Sequence, residues 1–116
     1  MSPGLAIIDT IELIKPPVHT HCEESAGSMA LVILTCGHRG ERSAKPGARL
    51  MFAMPQAPKD GSAQQKADAV RFAGILIGKV VKATGIPESD VRRMFEESVT
   101  VDGKQALRLG LVDREE

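Results

Sequence analysis

Ser62 opens and Gly85 closes the longest regular pattern in the chain, and any fold must accommodate it. Ser62 with Gln65 three residues on has the form of a capping box. From there to Thr84, Ala69, Phe72, Ala73, Leu76 and Val80 recur at helical spacing, with Val70, Ile77 and Val81 forming a second row. The pattern predicts one long helix, stopped by Gly85 and buried on more than one side. A chain of 116 residues suffices for one domain with a modest core, so a helix of this kind implies contact with another subunit.

The remaining elements alternate around it. Leu5, Ile8, Ile11 and Glu12 lie at helical spacing, widened by Ile7 and Ile14, which predicts a buried helix from Leu5 to Lys15 ended by Pro16-Pro17. Val18 to Cys22 reads as a short strand, Glu23 to Gly27 as a turn, and Ser28 to Thr35 as an almost wholly apolar helix ended by Gly37. The segment 37–47, GHRGERSAKPG, reads as a polar loop, Ala48 to Met54 as a second strand closed by Pro55, and 56–61 as a flexible connection. Pro87 to Glu97 reads as a helix with Val91, Met94 and Phe95 on one face, and Val99 to Val101 as a strand. Asp102 and Gln105 then cap a last short helix that Gly110 terminates. Apolar strands alternating with helices imply an α/β fold with parallel pairing.

Charge and composition exclude several classes of function. Fifteen Lys and Arg balance fifteen Asp and Glu without massing on one segment, so neither a nucleic-acid nor an anionic-membrane footprint is expected. Three Phe with no Trp or Tyr argue against base-stacking platforms and aromatic cages. The longest apolar stretch, Met29 to Cys36, is too short to span a bilayer, and no cleavable leader pattern opens the chain, so a soluble protein is expected. Cys22 and Cys36 read as two thiols in a reducing compartment. His19 and His21 fall on one strand face with Cys22 on the other, which argues against a metal site. The cationic 37–47 loop lacks the glycine and lysine spacing of a phosphate loop, so no cofactor is expected.

One position carries possible chemistry. A serine at a strand-to-helix turn, as Ser28 is placed, has the helix N–H groups beside it, and an oxyanion forming there would meet donors and the positive end of the dipole. By itself such a serine is most often a helix cap, and only a base within hydrogen-bond reach makes it a nucleophile.

The order GLAIIDTIELIKPPV, then SAGSMALVILTCGHRGERSAKPGARLMF, then the long helix ending in Thr84-Gly85, then QALRLGLVD, resembles the ClpP family of serine peptidases over nearly the whole chain. Ser28-Met29 through Gly40, Arg42, Pro46, Ala48 and Arg49 is the most specific part, and the connection between Pro55 and the long helix is shorter than in the family. The resemblance implies a single ClpP-like domain over 1–116, with the ClpP/crotonase-like α/β fold and a long handle helix. It puts Ser28 at the nucleophile and the Met29 amide at the oxyanion hole. Met1-Ser2-Pro3-Gly4-Leu5 aligns without a gap to the interior of the helix that follows the family's Gly-Gly loop. In that register the chain covers the C-terminal two-thirds of the fold and lacks its first strands; a gapped register sets Ser2-Pro3-Gly4 on the loop itself.

Two departures decide what the resemblance means. The catalytic histidine position falls on Ala53, and counting back from the closing Gly110-Leu111-Val112-Asp113 sets the aspartate position on Ser98. Neither a methyl nor a hydroxyl replaces a base, so a peptidase-inactive subunit is expected. Glu97 and Asp102 are the nearest acids, and His19, His21 and His38 all precede the position where a base is needed. By this resemblance the partners are ClpP-type paralogues or further copies in heptameric rings, fed by an AAA+ unfoldase, as for the degenerate subunits of plastids and cyanobacteria. The compartment would be cytoplasmic or plastid. The competing readings are an active endopeptidase using Ser28 with a non-standard base, and a decayed gene product.

Overall fold

The computed structural model describes residues 3–116, with five helices and two small sheets among them. Helix α1 is Pro3–Leu13, followed by strands β1 (Thr20–Cys22) and β2 (Ser25–Gly27) and helix α2 (Met29–Thr35). Strands β3 (Arg42–Ala44) and β4 (Arg49–Met51) lead to α3 (Ala63–Thr84) and α4 (Glu88–Glu96). Strand β5 (Thr100–Asp102), helix α5 (Gly103–Leu109) and strand β6 (Arg114–Glu115) complete the chain. Met1 and Ser2 lie outside the described residues, and Pro3 and Gly4 open α1.

One sheet has the order β1-β3-β6 and the other β2-β4-β5. The chain from Thr20 to Gly27 runs parallel to the chain from Arg42 to Met51 through both. Thr20 pairs with Arg42 but Ser25 with Arg49, so the second segment is the longer between the sheets. The surplus is taken up by a turn in which the Ala48 N–H donates to the Lys45 carbonyl at 2.9 Å. The expected parallel pairing holds for β1–β3, β2–β4 and β3–β6, whereas β4–β5 is antiparallel.

The core is aliphatic around two phenylalanines. Leu31, Val32 and Leu34 of α2 meet Leu50 and Phe52, Leu76, Ile77 and Val80 of α3, and Val91 and Phe95 of α4. The long helix has its capping box at Ser62 and Gln65, and Gly85 ends it in the left-handed region at φ 78°. Both apolar rows reach the core in the C-terminal half of this helix, the first through Ala73, Leu76 and Val80 and the second through Ile77 with Val81 packed beside it, whereas nearer the N-terminus Val70 of the second row is 74% exposed. Ile7 and Ile14 are likewise exposed and do not widen the buried stripe of α1, which consists of Gly4, Ile8 and Ile11.

Two segments read as turn and loop are strands. Ser25-Ala26-Gly27 and Arg42-Ser43-Ala44 carry little strand propensity of their own, and the ladder to their neighbours holds them extended. An ion pair between buried Arg42 and half-buried Asp113 ties this region together. Arg42 donates Nε to Asp113 Oδ2 and Nη2 to Asp113 Oδ1, each at 2.8 Å, and Nη1 to the carbonyls of Thr35 and Ala83 at 3.1 and 3.2 Å. Asp113 also accepts the Gly40 N–H at 2.7 Å. One guanidinium thereby joins the ends of α2 and α3 to the closing motif.

Candidate active site

Sheet topology brings Ser28, Ala53 and Ser98 to the same end of β2-β4-β5. Ser28 follows β2 and Ala53 follows β4, and these strands are parallel. Strand β5 is antiparallel to β4, so Ser98, which precedes it, arrives at that end from the other direction. Two backbone bonds fix the meeting: the Ser28 N–H donates to the Met51 carbonyl at 3.0 Å, and the Phe52 N–H to the Val99 carbonyl at 2.8 Å.

Ser28 does not cap its helix. Its backbone lies at φ 53°, ψ −117°, a conformation that side chains rarely adopt, and its hydroxyl makes no capping bond to α2. The resulting sharp strand-to-helix turn has the form of a nucleophile elbow, in which the hydroxyl is lifted away from the helix. The Met29 N–H is at the first helical position, where it has no acceptor within the helix. The Met29 side chain fills the space above Gly4, where a Cβ would collide with its Cγ, so only glycine lets α1 approach here.

Ala53 is exposed on the extended chain after β4 and offers a methyl group. Ser98 is the second non-glycine residue with positive φ, at 51°. It closes α4 in a Schellman turn, its N–H donating to the Phe95 carbonyl at 3.3 Å and that of Val99 to the Met94 carbonyl at 3.1 Å. An apolar cleft of about 480 Å³ starts directly after Ala53, floored by Met54, Pro55, Ala69, Val70 and Ala73, with Lys59, Lys66 and Arg92 on its rim.

No histidine faces this end of the sheet among the described residues. His19 pairs with Glu41, and the His38 Nδ1 accepts the Val18 N–H at 2.7 Å. The His21 ring spans Ser43 Oγ at 2.7 Å and Glu23 at 2.8 Å. Asp102 pairs across the sheet with Arg49, at the opposite end of β4, and its carboxylate caps α5 through the Gln105 N–H at 2.8 Å. Cys22 and Cys36 are both free, and burial pushes both thiols upward, leaving neither a ready nucleophile.

The family model for Clp protease matches residues 1–114. The chain belongs to the Clp protease family. The mixed α/β architecture is consistent with a Clp protease domain. No helix of the described residues is long and apolar enough to cross a membrane. Sequence reasoning missed the Arg42–Asp113 pair, although both residues stand in the motifs that carry the resemblance. Their side chains are 71 residues apart, and only the β3–β6 pairing joins them.

Proposed function

We propose that this chain is a Clp protease subunit that keeps the elbow and cleft of a peptidase without hydrolysing peptides, and that it acts by assembly. The observation that carries the reading is Ala53. At the sheet end where a base must take the Ser28 proton there is a methyl group, and Ser98 supplies a hydroxyl where an acid would orient that base. A serine hydroxyl without a base stays protonated at neutral pH, and loss of triad members removes several orders of magnitude from turnover.

The assembly half of the proposal draws on exposed apolar surface. Val70 and Ile75 on α3, Ile7 and Leu13 on α1 and Ile14 just after it are more than two-fifths exposed and are the apolar side chains that a neighbouring subunit would cover. The partners would be ClpP-type subunits, paralogous or identical, in heptameric rings served by an AAA+ unfoldase, in the cytoplasm or a plastid.

Two measurements test the reading. Light scattering behind size-exclusion chromatography should show a ring-sized species, with this chain alone or mixed with a catalytically complete family member; a monomer in both cases rejects assembly. In a fluorogenic peptide assay the chain should be silent, with turnover appearing in an Ala53→His/Ser98→Asp variant. Turnover by the unaltered chain that disappears in Ser28→Ala rejects inactivity.

A further inference from the structure

The cleft of about 480 Å³ that begins at Met54 is enclosed by the chain after β4, by α3 and by α4. Met54, Pro55 and Pro58 form one wall, and Ala69 and Ala73 of α3 form another, Ala73 buried and Ala69 half-buried. No aromatic ring lines it, and its lining has three cations, Lys59, Lys66 and Arg92, with no carboxylate. Arg92 is engaged by Glu88 at 3.2 Å. Lys59 and Lys66 are exposed, and their side chains have neither an ion pair nor a hydrogen bond among the described residues.

These features select among ligands. Without a ring to stack against, a nucleotide base gains little here. A peptide chain would need main-chain partners, and Pro55 and Pro58 remove N–H groups from the segment that would pair with it. An alkyl chain needs only apolar area, which the aliphatic walls offer, and an anionic end is what two unpaired lysines attract. Ala73 lies about two turns beyond Lys66 on α3, about 10 Å along the helix axis, which an extended chain of about ten carbons would span.

We propose that this cleft binds a medium-chain alkyl carboxylate, its carboxylate held by Lys59 and Lys66 and its chain laid along Ala69 and Ala73 against Met54 and Pro55. The proposal goes beyond the assembly reading and depends neither on it nor on the state of Ser28. Val70, which that reading places at a subunit contact, is left unaltered in the test.

The test titrates sodium decanoate into the full chain by isothermal calorimetry, with butyrate and decyltrimethylammonium as comparisons. Saturable decanoate binding is expected, weakened about tenfold by Lys59→Gln combined with Lys66→Gln, and about tenfold by Ala69→Leu, which fills the cleft with a residue that suits the helix. Butyrate leaves most of the apolar wall uncovered and should bind about a hundredfold more weakly. Absence of saturable decanoate binding overturns the proposal, and is the result expected should a second copy of the chain fill the cleft. Equal binding of decyltrimethylammonium overturns it as well, because apolar surface alone does not distinguish the sign of a head group. A decanoate affinity unchanged in both variants would place the ligand elsewhere and overturn the site. Both lysines are exposed, so the glutamine variant decides the matter should Ala69→Leu disturb packing. An apolar tripeptide with a free C-terminal carboxylate that competes with decanoate and binds more tightly would assign the cleft to peptides and overturn the choice of ligand.

Discussion

The rings of Phe52 and Phe95 meet edge to face, their centroids 5.3 Å apart and their planes at 77°, and both are fully buried. Phe52 immediately precedes Ala53, and Phe95 lies on the last turn of α4 before Ser98. This one contact therefore clamps together the two segments that, with Ser28, form the candidate site. Truncating either ring to alanine should cost about 3–5 kcal/mol in urea unfolding. The double variant should lose about 1 kcal/mol less than the sum of the single losses, because the pair term is removed only once. Strict additivity would mean that the rings do not act as a clamp.

Ser28 holds a backbone conformation that glycine adopts more readily, without a capping bond in return. Strain of this kind costs about 1–3 kcal/mol, partly offset on substitution by the greater chain entropy of glycine. Ser28→Gly should accordingly raise stability by about 1 kcal/mol, with Ser28→Ala close to neutral, both read from denaturant midpoints. A clear loss in both variants would show that the hydroxyl is structural.

The Arg42 guanidinium, with the Gly40 and Arg42 N–H groups, holds the Asp113 carboxyl down at about 2 against an ordinary 3.8. A depressed carboxylate stabilises the fold above its unfolded value and loses that contribution as pH falls toward the folded one. About 2 kcal/mol should therefore disappear between about pH 4 and pH 2. Unfolding curves of the parent and of Asp113→Asn should converge over that window. At neutral pH, Arg42→Met should cost about 2–3 kcal/mol, since Asp113 loses both guanidinium bonds and the Thr35 and Ala83 carbonyls lose their donor. An unchanged acid profile in Asp113→Asn would contradict this assignment.

Position along α3 separates stability from assembly. Val70 is 74% exposed whereas Ile77 is fully buried. Val70→Asp should leave unfolding within about 0.5 kcal/mol of the parent and lower the mass seen by light scattering, whereas Ile77→Asp should prevent folding. Unchanged assembly in Val70→Asp would remove the N-terminal part of α3 from the interface.

What could be read from the sequence was what neighbouring residues decide among themselves. The capping boxes at Ser62 with Gln65 and at Asp102 with Gln105, and the helix stops at Gly85 and Gly110, act within one turn, and the structure has each of them. Strands β2 and β3 were not legible, because Ser25-Ala26-Gly27 and Arg42-Ser43-Ala44 are small or polar and are extended only through distant pairing. In the second row of α3 Ile77 is buried but Val70 is not, because periodicity identifies an apolar face but not how far along the helix it is covered. At the site, counting along the family pattern singled out Ser28, Ala53 and Ser98. Their arrival at one sheet end depends on the antiparallel β4–β5 pair, which the expectation of parallel pairing did not contain.

The central claim concerns a proton that has no acceptor. Intact-mass spectrometry after incubation with a fluorophosphonate measures it directly, since only an activated serine displaces fluoride. The account predicts no adduct on Ser28 in the unaltered chain, and an adduct once Ala53→His and Ser98→Asp are introduced together. An adduct on the unaltered chain that is absent from Ser28→Ala would contradict it.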